Sequence, residues 1–236
     1  MLAINNLNLH YDKKVGQGKV QDVRQIKSAT QVIFDLSLHV NAGERLAIIG
    51  PSGAGKSTLL HYIYQALKDQ SALCSQRQDL VDNLSIYHNI FMGALARHHW
   101  LVNLLNLLRP FKTELNNIAS LCRQLELDQP LSKKVEKLSG GQRQRVTLGR
   151  ALYQQQAVFI GDEPFSALDP LMAKRLLNIV FAQHKSVIMV VHDRELAMNY
   201  FDRVIALDKG HLVLDSHKKT IKPQQITALY QQTTAT

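Results

Sequence analysis

The stretch "GPSGAGKST" (50–58) sets glycines, a lysine and two hydroxyls at a spacing that handles phosphate. Gly50 to Ser57 fit the pattern G-x-x-x-x-G-K-[ST]. Glycines let the backbone curl until successive N–H groups converge as an anion nest. A helix beginning there adds the partial positive charge of its N-terminus. Gly50, Pro51, Ser52, Gly53, Ala54 and Gly55 form the curl. Lys56 is expected to reach the β- and γ-phosphates and Ser57 to offer an oxygen to Mg²⁺, with Thr58 adding a hydrogen bond to a phosphate.

Such a site needs a carboxylate to hold the metal. It belongs at the C-terminal end of a buried strand, where ligands bind in parallel sheets. "VFIGDE" (158–163) offers Asp162 and Glu163 in that place. Asp162 is expected to orient Mg²⁺ and Glu163 to polarise an attacking water. A second phosphate-handling candidate is "LSGGQRQRV" (138–146), where Ser139, Gly140 and Gly141 stand at the mouth of a helical segment from Gln142 to Gln154. A glycine pair there is either a plain helix start or a second anion nest.

These residues need short buried strands that each run into a helix. "RLAIIG" (45–50), "AVFIG" (157–161) and "SVIMVV" (186–191) are almost wholly apolar, as strands covered on both faces are. Helices are expected from 57 to 67, over 170–183 and over 194–200. A short strand is expected at 72–75, and "RVIALD" and "HLVLD" flank Lys209-Gly210 as a hairpin. Residues 2–10 and 32–40 alternate as strands, with a polar loop over 12–31 between them. A polar tail from 216 carries a short helix after Pro223. From about Leu84 to Leu127 the chain is helical in character, broken at Pro110. The predicted fold class is α/β: a core with a mainly parallel sheet and a helical subdomain inserted between its halves. The expected boundaries are 1–82 and 156–236 for the core and 83–137 for the helical subdomain, which leads into a helix over 138–155.

The chain has 236 residues, 45% of them hydrophobic, which suits a folded domain and excludes a disordered one. Cys74 and Cys122 form neither metal-ligand spacing nor a disulfide framework, so a reducing compartment is expected. The N-terminus lacks the order of a signal peptide, and no stretch approaches the ~20 apolar residues that cross a bilayer. A formal charge of +9 fits a solvated basic surface, a nucleotide, nucleic acid or an anionic membrane face, and does not choose among them.

Together these motifs resemble the nucleotide-binding subunits of ABC transporters. "LSGGQ" (138–142) matches the family's signature, 24 residues ahead of Asp162. "SALD" (166–169) looks like its D-loop, and His192 matches its switch histidine. Gln76 in "CSQRQDLV" best matches the Q-loop glutamine. Gln78 is the alternative, but Gln76 keeps "DLVDNLSIYHNI" in the family's register. Tyr11 stands where the family stacks an aromatic on adenine.

The resemblance implies that one ATP is sandwiched between the phosphate loop of one copy and the signature of another, in a head-to-tail dimer of identical or paralogous chains. Ser139, Gly140, Gly141 and Gln142 would then close over the γ-phosphate. Glu163 would be the general base, His192 would hold the γ-phosphate and the attacking water, and Asp169 would communicate between sites. Gln76 would touch Mg²⁺ or water and join Ser57 and Asp162 around the metal. ATP and Mg²⁺ are the implied cofactors. The implied partners are integral membrane permease subunits and a solute-binding protein, with no nucleic acid. The implied place is the cytoplasmic face of the inner membrane, as a peripheral subunit of an importer. "GALAR", Trp100 and Phe111 look like the phosphonate-importer ATPases, which implies a phosphonate or related oxyanion as solute.

The resemblance implies a phosphate-loop NTPase core of the ABC ATPase type, and because only 20 residues separate Lys56 from Gln76, where the family places a longer segment with strands of a small antiparallel subdomain, it implies a reduced antiparallel β-subdomain. The loop at 12–31 is correspondingly long. Residues 83–108 are rich in apolar and aromatic side chains, expected to be mostly core of the helical subdomain, with part available to a partner's helix. A soluble ABC-type ATPase acting on DNA or ribosomes is the competing reading. Such proteins commonly carry fused units or long insertions, which this sequence lacks.

Overall fold

A computed structural model describes residues 1–11, 30–75 and 79–221, with the side chains of Tyr11 and Thr30 outside the description. In chain order the elements are β1 (Leu2–Tyr11), β2 (Thr30–Val40), β3 (Arg45–Ile49), α1 (Lys56–Leu67), β4 (Ser71–Cys74), α2 (Ile86–Phe91), α3 (Trp100–Leu108), α4 (Lys112–Gln124), α5 (Gly140–Leu152), β5 (Val158–Asp162), α6 (Pro170–Gln183), β6 (Ser186–Val190), α7 (Arg194–Tyr200), β7 (Arg203–Asp208) and β8 (His211–His217). They divide into two compact units, Met1–Asp69 with Ser186–Thr236, and Gln70–Lys185.

In the first unit β3 lies between β6 and β7, parallel to both. Leu46, Ala47, Ile48 and Ile49 are wholly buried, as are Val187, Ile188, Met189 and Val190 of β6. Each large apolar side chain so buried contributes about 1.5–3 kcal/mol, which holds β3 rigidly behind the loop that follows it. The short turn Lys209-Gly210, with φ of 44° and 82°, closes the β7–β8 hairpin, as its twist requires. β8 alternates exposed and half-buried residues.

β1 and β2 form a two-stranded antiparallel sheet, the reduced β-subdomain expected from the sequence. Its register shifts between Ile4 and Leu7, where Asn6 has φ of 49°. The bulge absorbs Asn5-Asn6 and returns Leu7 and Leu9 to the buried face. The second strand starts at Thr30, so residues 30 and 31 are strand where a loop was expected. The remainder of that loop, 12–29, and the helix expected after Pro223 lie outside the described residues.

In the second unit β4 and β5 pair in parallel. Between them the described chain is helical, with 3-10 turns at Met92–Arg97 and Val135–Lys137. Ser85 caps α2, and buried Asn89 binds the Val81 N–H and the carbonyls of Val81 and Ser85. Pro110 separates α3 from α4, as its missing N–H predicts. Ile86, Tyr87, Ile90, Phe91 and Ala94 are core. α3 is not. Trp100, Leu101, Leu104, Leu105 and Leu108 are exposed, and buried Asn106 faces inward. The expectation that 83–108 is mostly core holds for its first half and is corrected for its second.

Candidate active site

The phosphate loop belongs to the first unit. Gly50 has φ of 142°, and a Cβ there would lie 2.1 Å from the Leu207 carbonyl oxygen. No other residue fits that position without moving β7. Gly53 and Gly55 also have positive φ, 79° and 96°. Three left-handed positions in six residues make the curl that turns N–H groups inward.

Gly55 caps α1 with no side-chain hydrogen bond, and no acidic residue stands in the first turn. The orphan N–H groups and the positive end of the helix dipole are therefore presented to whatever the loop encloses. Lys56 is buried, and its Nζ donates to the carbonyls of Gly50 (2.8 Å) and Pro51 (2.9 Å). A buried ammonium held on two loop carbonyls is already positioned for an anionic partner. Ser57 is exposed and Thr58 half-buried at the helix start. His192 follows β6 and is exposed, beside Asp193, which caps α7 through Leu196 N–H at 3.0 Å.

The carboxylates and the signature belong to the second unit. Asp162 ends β5, and Glu163 follows in the left-handed region with φ of 52°. Both are half-buried. Backbone strain at a residue with a candidate catalytic role is the kind that surrounding structure must hold in place. Gln144 does so. It is buried, donates to the Glu163 carbonyl at 3.1 Å and the Ser166 Oγ at 3.2 Å, and accepts from the Ala167 N–H at 2.9 Å. Sequence reasoning gave Gln144 no role. Its only signal was a glutamine on the face of a helix otherwise lined with Thr147, Leu148 and Ala151.

Ser139 is the N-cap of α5 in a capping box: its Oγ accepts from Gln142 N–H, and its own N–H donates to Gln142 Oε1 at 3.1 Å. The helix starts at Gly140, two residues before the expected Gln142. A Cβ on Gly141 would approach the Ala167 carbonyl to 3.2 Å, whereas a Cβ on Gly140 would meet nothing within 4 Å. Among the described residues no packing requires glycine at 140. Arg143 pairs with Asp82 at 2.6 Å and Arg145 donates to the Glu126 carbonyl, so both serve the unit's own structure. Asp169 caps α6 through Met172 N–H at 2.9 Å, ahead of Pro170 at the first helical position.

Gln76 and its alternative Gln78 lie outside the described residues, as does the Tyr11 side chain. The segment's described flanks are held: Ser75 Oγ donates to Asp79 Oδ2 at 2.6 Å, and Arg150 to the Asp79 carbonyl at 2.8 Å. Burial lowers the Arg150 pKa, and neighbouring Asp79 and Cys74 work against that. Burial pushes the Cys74 thiol up to about 12, with Arg150 lowering it and Asp162 raising it. Among the described residues no group of three or more His, Cys, Asp or Glu could hold a metal. A hydroxyl and a carboxylate, Ser57 and Asp162, are nevertheless the hard oxygen donors that Mg²⁺ takes alongside phosphate oxygens and water. The donor types fit.

Residues 33–166 match the ABC transporter family. The Phosphonates import ATP-binding protein PhnC of Pseudomonas putida is 36% identical over 224 residues, covering 83% of this chain and 82% of that protein. Its namesake in Caulobacter vibrioides is 32% identical over 228 residues, covering 83% and 86%. Among solved structures, the dimeric post-hydrolysis state of the ATP-binding cassette MJ0796 bound to ADP and Pi superposes with a TM-score of 0.73 at 22% identity, covering 94% of this chain and all of that one. A second dimeric structure of that cassette gives 0.75 at 21% identity. At such identities the structural likeness speaks for the fold. The fold class expected from the sequence stands, and with relatives above 30% identity spanning most of its length the chain belongs to the ABC transporter family, as an ATP-binding ATPase subunit.

Proposed function

We propose that this chain powers an importer for a phosphonate or a related oxyanion, as the peripheral ATPase at the cytoplasmic face of the inner membrane. It works with separate permease subunits and a solute-binding protein. The relatives' shared description as phosphonates import ATP-binding proteins supports the solute class and the direction.

The observation that carries the chemistry is the phosphate loop: three left-handed glycines and a buried Lys56 at the start of a helix without a side-chain cap. In this reading residues 50–58 bind the ATP phosphates, with Lys56 on the β- and γ-phosphates. Ser57, Asp162 and Gln76 hold Mg²⁺, which supplies charge neutralisation at the phosphates. Glu163 accepts a proton from the attacking water, and His192 orients that water against the γ-phosphate. Tyr11 stacks on adenine. The core comprises 1–82 and 156–236, and the helical subdomain 83–137.

Two copies close head to tail. Ser139, Gly140, Gly141 and Gln142 of one cover the γ-phosphate held by the other, with Asp169 at the seam. The bare surface at Gly140 supports this arrangement, because backbone can approach phosphate closely only where no side chain intervenes. Loss of the γ-phosphate removes the bridge and the dimer opens.

Purification of the tagged chain from native membranes in detergent tests the assignment. A stoichiometric multi-spanning permease is expected, with ATP turnover that rises when the loaded solute-binding protein is added. Co-purified nucleic acid or ribosomes with no membrane protein would contradict it.

A further inference from the structure

Glu126 stands between the end of α4 and buried Leu127 with φ of 53°, in the left-handed region that disfavours a residue with a Cβ. Two arginines from later helices hold it there. Arg145 of α5 donates from Nη1 to the Glu126 carbonyl. Arg175 of α6 grips the Glu126 carboxylate with both prongs of its guanidinium, Nε to Oε1 at 2.7 Å and Nη2 to Oε2 at 3.1 Å. A two-pronged pair of this kind fixes direction as well as distance.

Each arginine ties Glu126 to a motif. Arg145 Nε also donates to the Gly141 carbonyl at 3.3 Å, in the first turn of the signature helix. Arg175 belongs to the helix that Asp169 caps, directly after the D-loop. The two motifs already lie side by side, since a Cβ on Gly141 would come within 3.2 Å of the Ala167 carbonyl and 3.3 Å of Leu168 Cδ2. Gln144 joins α5 to the loop at 163–167 from a buried position. Glu126 joins α5 to α6 at the surface.

The side chains of Arg175 and Glu126 are 47% and 42% exposed, so their ion pair adds little to stability. The backbone at Glu126 works against even that gain. Strain held by two guanidinium groups, for so small a return in stability, is the mark of a device that sets position.

We propose that Glu126, Arg145 and Arg175 form a clasp that fixes the signature turn relative to the D-loop helix, which makes Glu126 and Arg175 positioning residues for the closure of two copies on ATP. The clasp rests on the head-to-tail reading above, in which the signature and Asp169 of one copy act on the other.

Glu126→Gly, Arg175→Ala and the two combined test it. Glycine is at ease in the left-handed region, so Glu126→Gly removes the carboxylate without adding strain. Dimerisation by Mg²⁺-ATP is read by sedimentation with each variant built into the Glu163→Gln chain, and turnover is read with Glu163 intact. Each variant should weaken dimerisation and lower kcat about three- to thirtyfold. ADP affinity and melting temperature should stay near those of the native chain. The double variant should lose no more than either single one, because both remove the same contact. A Glu163→Gln chain that dimerises equally well with and without the clasp substitutions, together with unchanged kcat, overturns the clasp and leaves the head-to-tail reading standing. Losses that track a fall in melting temperature overturn it in favour of a purely structural role, as does a double variant that loses the product of the two single effects. A Glu163→Gln chain that ATP does not dimerise overturns the head-to-tail reading and the clasp with it.

Discussion

Gln144 Nε2 lies 3.1 Å from the carbonyl oxygen of Glu163, tying α5 to the residue that follows β5. The same amide accepts the Ala167 N–H at 2.9 Å. One buried side chain thus spans both ends of the loop that carries the candidate base and leads to the D-loop. Glu163 keeps its left-handed φ of 52° within that frame.

Gln144→Ala leaves the Glu163 carbonyl and the Ala167 N–H without this partner in a buried setting, a loss of about 2 kcal/mol that lowers Tm by about 4–8 °C. If the amide positions Glu163, kcat falls about tenfold while KM for ATP stays near its original value. Gln144→Glu keeps the acceptor for Ala167 and loses the donor to Glu163, so it should recover stability more than turnover. Steady-state kinetics and melting curves on the three proteins separate the two effects.

Gly50 and Gly140 answer differently to the same substitution. Gly50→Ala puts a Cβ 2.1 Å from the Leu207 carbonyl at a φ of 142°, and the protein should lose on the order of 3 kcal/mol or fail to fold. Gly140→Ala meets nothing within 4 Å among the described residues and should raise stability by up to about 1 kcal/mol. Its ATP turnover should nevertheless fall if the proposed head-to-tail arrangement holds, because the added methyl would then obstruct approach to the γ-phosphate held by a second copy. Full turnover in Gly140→Ala would remove the signature from the catalytic account.

Lys56→Ala removes the ammonium held on the Gly50 and Pro51 carbonyls. A charged hydrogen bond to phosphate contributes about 1.5–3 kcal/mol, so nucleotide affinity should weaken roughly ten- to a hundredfold. Calorimetric titration with a non-hydrolysable ATP analogue reads this without depending on turnover.

The cysteines give a pH dependence. Burial raises Cys74 to about 12 and Cys122 to about 11, above the ~8.5 of a thiol in an unfolded chain. The folded state therefore holds both protons more tightly than the unfolded one. Their contribution to stability is intact below about pH 8.5 and is lost as pH rises toward the folded values. Urea midpoints should fall between pH 8 and pH 10 by more in the native protein than in a Cys74→Ala, Cys122→Ala variant. Neither thiol should react with iodoacetamide at neutral pH until the chain unfolds.

The phosphate loop was legible in the sequence because its determinants are local: a buried strand, glycines at fixed spacing and a helix start. The signature helix was legible for the same reason, within two residues at its start. What escaped depends on contacts between distant segments. Gln144 acts on Glu163 and Ala167, and Arg150 on Asp79, across gaps that no periodicity reveals. α3 misled most, because a run of leucines predicts burial. Only tertiary structure shows that its asparagines, hydrogen-bonded to Phe111, Leu95 and His98, claim the inside. The bulge at Asn5-Asn6 likewise hides within an alternation that looks merely loose.

On the proposed mechanism ATP joins two copies of this chain and Glu163 starts its hydrolysis. Sedimentation velocity of the Glu163→Gln chain, with and without Mg²⁺-ATP, examines both steps at once. A monomer without nucleotide and a stable dimer with it are expected, alongside turnover reduced at least about a hundredfold. A Glu163→Gln chain that hydrolyses ATP at the original rate, or stays monomeric at saturating Mg²⁺-ATP, would contradict it.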